Sequence, residues 1–214
     1  MKDSIVSINN VSKVFKDTIV LNKVSIDFEK NKIHGLVGRN GSGKTMLLKC
    51  ICGFIPVTSG TIIVAGKKIS KNTDIPQNVG IIIETPGFLP NYSGYKNLSF
   101  LSSINKSISK EKIKATMKRV GLDPESKKWV GKYSLGMKQR LGVAQAIMEE
   151  PSILLLDEPM NGIDKHGIQD MRDLLLQLRD EGKTIILASH STEDIDTLCD
   201  TVCEMDQGKL EVLR

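Results

Sequence analysis

Apolar and polar positions change rhythm along the chain. Residues 24–29 (VSIDFE) alternate, residues 32–38 (KIHGLVG) form a nearly continuous apolar run, and residues 60–69 (GTIIVAGKKI) read as a strand turning at Gly66. Beyond Gly94 the rhythm becomes helical. Ser109 is placed to cap a helix that carries Ile113, Met117 and Val120 on one face and stops at Gly121. The last third alternates: the run ILLLD at 153–157, a helix over 166–182, the run TIILAS at 184–189 and a helix over 192–200. Strands alternating with helices predict right-handed crossovers and a largely parallel sheet. The expected fold is α/β, with the helical middle inserted into a strand-rich core.

One stretch does not fit a plain core. Ile81-Ile82-Ile83 reads as a buried strand, yet it runs straight into Glu84 before breaking at Thr85, Pro86 and Gly87. A carboxylate at the end of a core strand needs a reason.

The 214 residues suit one domain, and 40% apolar with 26% charged residues is ordinary for a soluble chain. No run approaches the ~18 apolar residues of a membrane span, and the opening MKDSIVSINN lacks a signal-peptide stretch, so a cytoplasmic location is expected. Cys50, Cys52, Cys199 and Cys203 have neither paired spacing nor neighbouring histidines, which argues for reduced thiols and against zinc. The net charge of +5 is unevenly placed: residues 106–140 hold eleven Lys/Arg against Glu111, Asp123 and Glu125, leaving 19 bases against 22 acids elsewhere. That basic middle is either a solvated helical face or a surface for an anionic partner. Nucleic acid is not favoured, because only Trp129 and Tyr133 offer stacking there and no recognition motif is present.

The strongest chemical signal is GRNGSGKT at 38–45, a phosphate-loop motif between a strand and a helix. The glycines Gly38, Gly41 and Gly43 let the backbone curl so that successive N–H groups of this cofactor-binding loop, which also holds Asn40 and Ser42, point inward, and the helix N-terminus adds positive charge. Lys44 is assigned to the β- and γ-phosphates of ATP and Thr45 to Mg²⁺. At the end of ILLLD, Asp157 supplies a second Mg²⁺ anchor and Glu158 a general base for the attacking water. His190, past the next strand, is placed to contact the γ-phosphate.

Residues 133–147 (YSLGMKQRLGVAQAI), together with these two motifs, resemble the signature segment of ATP-binding cassette proteins, with Ser134 and Gly136 in the serine and last-glycine places. The resemblance covers essentially the whole chain. It implies one nucleotide-binding domain over 1–214: a P-loop core (about 1–84 and 151–214) with a mostly parallel sheet, an N-terminal antiparallel β subdomain, and an α-helical subdomain (about 85–150). It also implies a head-to-tail dimer in which each signature covers the nucleotide on the partner's phosphate loop. Phe15 matches the aromatic that stacks on adenine, Asp164 the loop acid that lies across the dimer interface, and His190 the switch histidine. The signature departs from the usual pattern at Leu135, in place of a glycine, and at Met137, in place of a glutamine.

Glu84 falls where most members carry a glutamine near Mg²⁺ and the attacking water. A carboxylate is a harder metal ligand than an amide but repels the γ-phosphate, and unit charges at 4 Å interact by about 4 kcal/mol at an effective dielectric near 20. Glu84 is therefore expected to act in catalysis and at the metal, or else to pair with a lysine of the basic middle. The same glutamate, with YSLGMKQRLG and DEPMNGID, is similar to the ATPases of bacterial lantibiotic-immunity and bacitracin-resistance exporters. That resemblance implies an ATPase that powers a separate membrane permease from the inner face of the membrane, with the basic segment near anionic lipid. The alternative, a soluble cassette in translation or DNA repair, usually carries a second cassette or a long coiled-coil insertion, and neither is present in the chain.

Overall fold

The computed structural model describes residues 4–70, 76, 78–84, 87–105 and 108–214. Thr85, Pro86 and Lys106, singled out above, lie outside them.

Two sheets build the molecule. β1 (Ser4–Phe15) and β2 (Thr18–Glu29) form a long hairpin, to which β4 (Ser59–Val64) and β5 (Lys67–Ile69) add antiparallel in the order β2-β1-β4-β5. Gly66 turns β4 into β5 at φ +78°, as the sequence pattern requires. The second sheet contains β3 (Ile33–Val37), β6 (Val79–Ile82), β7 (Ile153–Asp157), β8 (Thr184–Ala188), β9 (Thr201–Asp206) and β10 (Lys209–Val212). Its order is β10-β9-β3-β8-β7-β6, parallel throughout except for the β9–β10 hairpin.

Strand composition follows from this layering. Along β7, Ile153 and Leu155 enter the core shared with the antiparallel sheet and α1 (Lys44–Ile51), whereas Leu154 and Leu156 face the other helices. Both faces are covered, so an unbroken apolar run is needed rather than alternation. The second core is completed by α2 (Gly94–Asn105), α3 (Lys110–Arg119), α4 (Leu135–Ile147), α5 (Lys165–Asp180) and α6 (Thr192–Leu198). Side-chain caps begin four of them: Ser109, Ser134, Asp164 and Ser191 each accept from a backbone N–H three residues on, a contact that contributes about 1 kcal/mol.

β6 departs from the expectation of a buried strand over residues 81–83. It ends at Ile82 and is the sheet's edge, with Val79 and Ile81 half-buried. A Cβ on Gly80 would fall 2.0 Å from the Ala146 carbonyl, so only glycine lets α4 seat this closely on the edge strand. β3, β8, β7 and β6 run parallel, and their carboxyl ends form one rim. Such rims are where open α/β sheets bind ligands.

Candidate functional site

The loop after β3 has its glycines at φ +143° (Gly38), +79° (Gly41) and +116° (Gly43). These values are left-handed, and at Gly38 a Cβ would also sit 2.2 Å from the Met205 carbonyl. Gly43 opens α1 without any side-chain cap, so the first N–H groups of the helix have no side-chain acceptor. Uncapped N-termini of this kind attract anions. The Lys44 ammonium is folded back onto its own loop, donating to the carbonyls of Gly38 (2.6 Å) and Arg39 (3.2 Å). Ser42 is buried beneath, its Oγ without a partner.

A cavity of about 560 Å³ opens over this loop, and Asn40, Gly41, Gly43, Lys44, Thr45, Glu84, Asp157 and Glu158 line it. Residues brought in from the ends of three strands, β3, β6 and β7, thus share one wall. Thr45 Oγ1 donates to Asp157 Oδ2 at 2.7 Å, which places a hydroxyl and a carboxylate side by side as hard oxygen donors. Among the described residues no group of three or more His, Cys, Asp or Glu side chains could hold a metal alone. A magnesium that takes phosphate oxygens and one or two protein ligands needs no such cluster.

Glu158 is held from several sides. Its backbone is left-handed at φ +50°, its N–H donates to the Ala188 carbonyl at 2.9 Å, and its carbonyl accepts from Gln139 Nε2 (2.9 Å) and the Asn161 N–H (3.1 Å). The carboxylate Oε2 accepts from His190 Nδ1 at 2.8 Å, so the expected base and the expected switch histidine are in direct contact.

Glu84 is also left-handed, at φ +63°, and its carboxylate pairs with Lys49 Nζ at 2.6 Å. The partner is not in the basic middle of the chain. Lys49 lies on α1 four residues beyond Thr45, hence on the same helix face, and lines the same cavity.

Several expected residues stand apart from the cavity wall. Ser134 caps α4, accepting from the Met137 N–H at 3.2 Å, and Asp164 caps α5, accepting from the Gly167 N–H at 2.8 Å. Phe15, exposed at the end of β1, has the Lys13 ammonium 4.6 Å from its ring centroid. Gly136 packs against the Gly162 carbonyl, and Met137 lies near Lys128, its sulfur 3.9 Å from Nζ. Leu135, by contrast, reaches the cavity's rim.

Sequence reasoning missed Val20, Lys49, Gln139 and Asn161, all on the cavity wall. Spacing from Thr45 was the available signal for Lys49. For Gln139 it was an amide on a helix whose neighbours Leu141, Val143 and Ala144 are apolar and buried. The cysteines carry no chemistry here: burial pushes Cys52 and Cys199 up to about 12 and Cys50 and Cys203 up to about 11, leaving them as neutral thiols.

The family model described as ABC transporter matches residues 21–161. The chain is 48% identical over 206 residues to the uncharacterized ABC transporter ATP-binding protein YybJ of Bacillus subtilis, covering 96% of this chain and 94% of that one. It is 41% identical to the bacitracin transport ATP-binding protein BcrA of Enterococcus faecalis (96% and 68% covered). It is 36% identical to the lantibiotic transport ATP-binding protein SrtF of Streptococcus pyogenes (95% and 87%). Among solved structures, the ATP-binding cassette MJ0796, a dimer in a post-hydrolysis state bound to ADP and Pi, superposes with a TM-score of 0.87 at 20% identity, covering 98% and 99% of the two chains.

Proposed function

The chain belongs to the ABC transporter ATP-binding proteins, and on that premise we propose that it is the hydrolytic subunit of an exporter that removes membrane-active peptide antibiotics. ATP binding and hydrolysis coupled to transport come with the family. The cargo class rests on likeness to BcrA and SrtF, whose names specify bacitracin and lantibiotic transport.

The observation that carries the chemistry is the rim where Thr45 meets Asp157 and Glu158 meets His190 beside the uncapped start of α1. In this reading the phosphates lie on the N–H groups of residues 39–45, and Lys44 exchanges its loop carbonyls for β- and γ-phosphate oxygens. Thr45 and Asp157 are the residues that would hold Mg²⁺, which would neutralise phosphate charge. Glu158 takes a proton from the attacking water, and His190 orients that carboxylate and approaches the γ-phosphate. Phe15 stacks on adenine. Glu84 makes nucleotide engagement depend on Mg²⁺, because its carboxylate repels a bare γ-phosphate but favours a metal-bound one.

Because Ser134, Gly136 and Asp164 stand off the chain's own cavity wall, we assign them to the partner's nucleotide in a head-to-tail dimer, the first turn of α4 forming the second anion site. Residues about 85–150 form the helical subdomain between the core halves about 1–84 and 151–214. The dimer works on the cytoplasmic face of the membrane with an integral permease, and the basic 106–140 segment faces anionic lipid, at about 1 kcal/mol per well-placed cation. The test is genetic and biochemical together. Deleting the gene is expected to raise bacitracin or lantibiotic sensitivity, and a Glu158→Gln copy to fail to restore resistance; unchanged sensitivity to every peptide antibiotic would remove the cargo assignment.

A further inference from the structure

The first two turns of α4 hold the loop that carries Glu158. Gln139 is buried, only 5% exposed, and spends its amide N–H on the Glu158 carbonyl at 2.9 Å. Nearer the helix start, a Cβ on Gly136 would fall 2.8 Å from the Gly162 carbonyl, and one on Gly162 only 2.4 Å from Leu135 Cδ2. The loop that follows β7 is therefore gripped at Glu158 and at Gly162 by the first two turns of the helix that Ser134 caps. Glu158 needs such a grip, since φ +50° at a non-glycine residue is strained and persists only where surroundings impose it.

We propose that Gln139 is a positioning residue for Glu158, and that through it the anion-binding turn at Ser134 is coupled to the hydrolytic carboxylate of the same chain. The inference rests on the dimer reading above: a nucleotide on the partner's phosphate loop draws on Ser134, α4 shifts as a rigid rod, and Gln139 sets the backbone, and so the carboxylate, of Glu158. Leu135, where the family pattern has glycine, stiffens the same link by covering Gly162. One site thereby learns whether the other is filled.

The experiment compares Gln139→Met, similar in size but without the donor, with wild type and with Ser134→Ala in a double-mutant cycle. Gln139→Met is expected to lower kcat about tenfold while the KM for ATP stays within about twofold, because orientation and not binding is lost. The Hill coefficient is expected to fall towards 1, and Ser134→Ala with Gln139→Met to be no slower than the slower single variant. A kcat within twofold of wild type, or losses that multiply, would overturn the proposal. So would equal losses of kcat, nucleotide affinity and thermal midpoint, which mark a merely structural residue. Gln139→Glu, with the same shape, takes the same measurements if the methionine variant does not fold. Failure of the dimer reading is seen separately: Glu158→Gln with Gln139 intact would then stay monomeric with ATP in size-exclusion chromatography.

Discussion

Two glutamates stand at neighbouring ends of the parallel sheet in nearly the same backbone state. Glu158 (φ +50°) follows β7, a strand buried on both faces, and its side chain is 21% exposed; Glu84 (φ +63°) follows β6, the edge strand, and its side chain is 65% exposed. Glu158 is contacted by His190, Gln139 and Asn161, none a permanent cation, whereas Glu84 faces the Lys49 ammonium. A carboxylate with no fixed cation beside it remains available as a base, and one already paired is committed to charge balance. Position along a strand is thus shared, and the strand's place in the sheet decides the chemistry.

Exchanging each glutamate for glutamine should separate them most sharply. Glu158→Gln is expected to lower turnover about 1,000-fold while fluorescent-ATP binding persists and an ATP-dependent dimer accumulates. Turnover near the parent's would place both glutamates in the same supporting class. The next effect in size concerns the partner. His190→Ala removes the 2.8 Å contact to Oε2, and misoriented catalytic groups lose on the order of 100-fold. A steady-state kcat that falls with unchanged nucleotide affinity is the expected result.

Glu84→Gln should act on a different axis. With the carboxylate gone, metal-free ATP no longer meets a negative charge at the end of β6. Binding in EDTA should tighten, so the ratio of affinities with and without Mg²⁺ falls by about fivefold, the equivalent of about 1 kcal/mol for an exposed pair. Titration of a fluorescent ATP analogue under both conditions reads this directly, and superimposable curves would reduce Glu84 to a surface ion pair.

The contrast also explains what was legible in the chain. The phosphate loop, Asp157 and Glu158 were readable because their chemistry needs contiguous residues: glycines with left-handed φ, then a helix, and an apolar run long enough to be buried on both faces. Strand β1 was not, because Asn9 and Asn10 break the alternation and the ladder slips between Ile8 and Val11, where Asn10 sits at φ +51°. The β9–β10 hairpin left no strong turn signal beyond Gln207-Gly208. Partnerships across the fold were the least readable: Lys49 meets Glu84 35 positions away and Gln139 meets Glu158 19 positions away, distances that only the sheet order closes.

The smallest expected effect tests whether the Lys49–Glu84 pair balances charge, as the comparison requires. Lys49→Met leaves Glu84 uncompensated at the cavity wall, so metal-free nucleotide binding should weaken and the Mg²⁺ ratio should rise, opposite in sign to Glu84→Gln. In the doubly substituted protein both charges of the pair are gone and the cavity wall is neutral again, so the ratio should return towards the parent's. Stability should hardly register the change, since a pair this exposed contributes about 0–1 kcal/mol and α1 keeps Leu47, Leu48 and Ile51 in the core. A loss of several kcal/mol on chemical denaturation would mean that Lys49 holds the rim together, and the two strand ends would then differ in packing instead of charge.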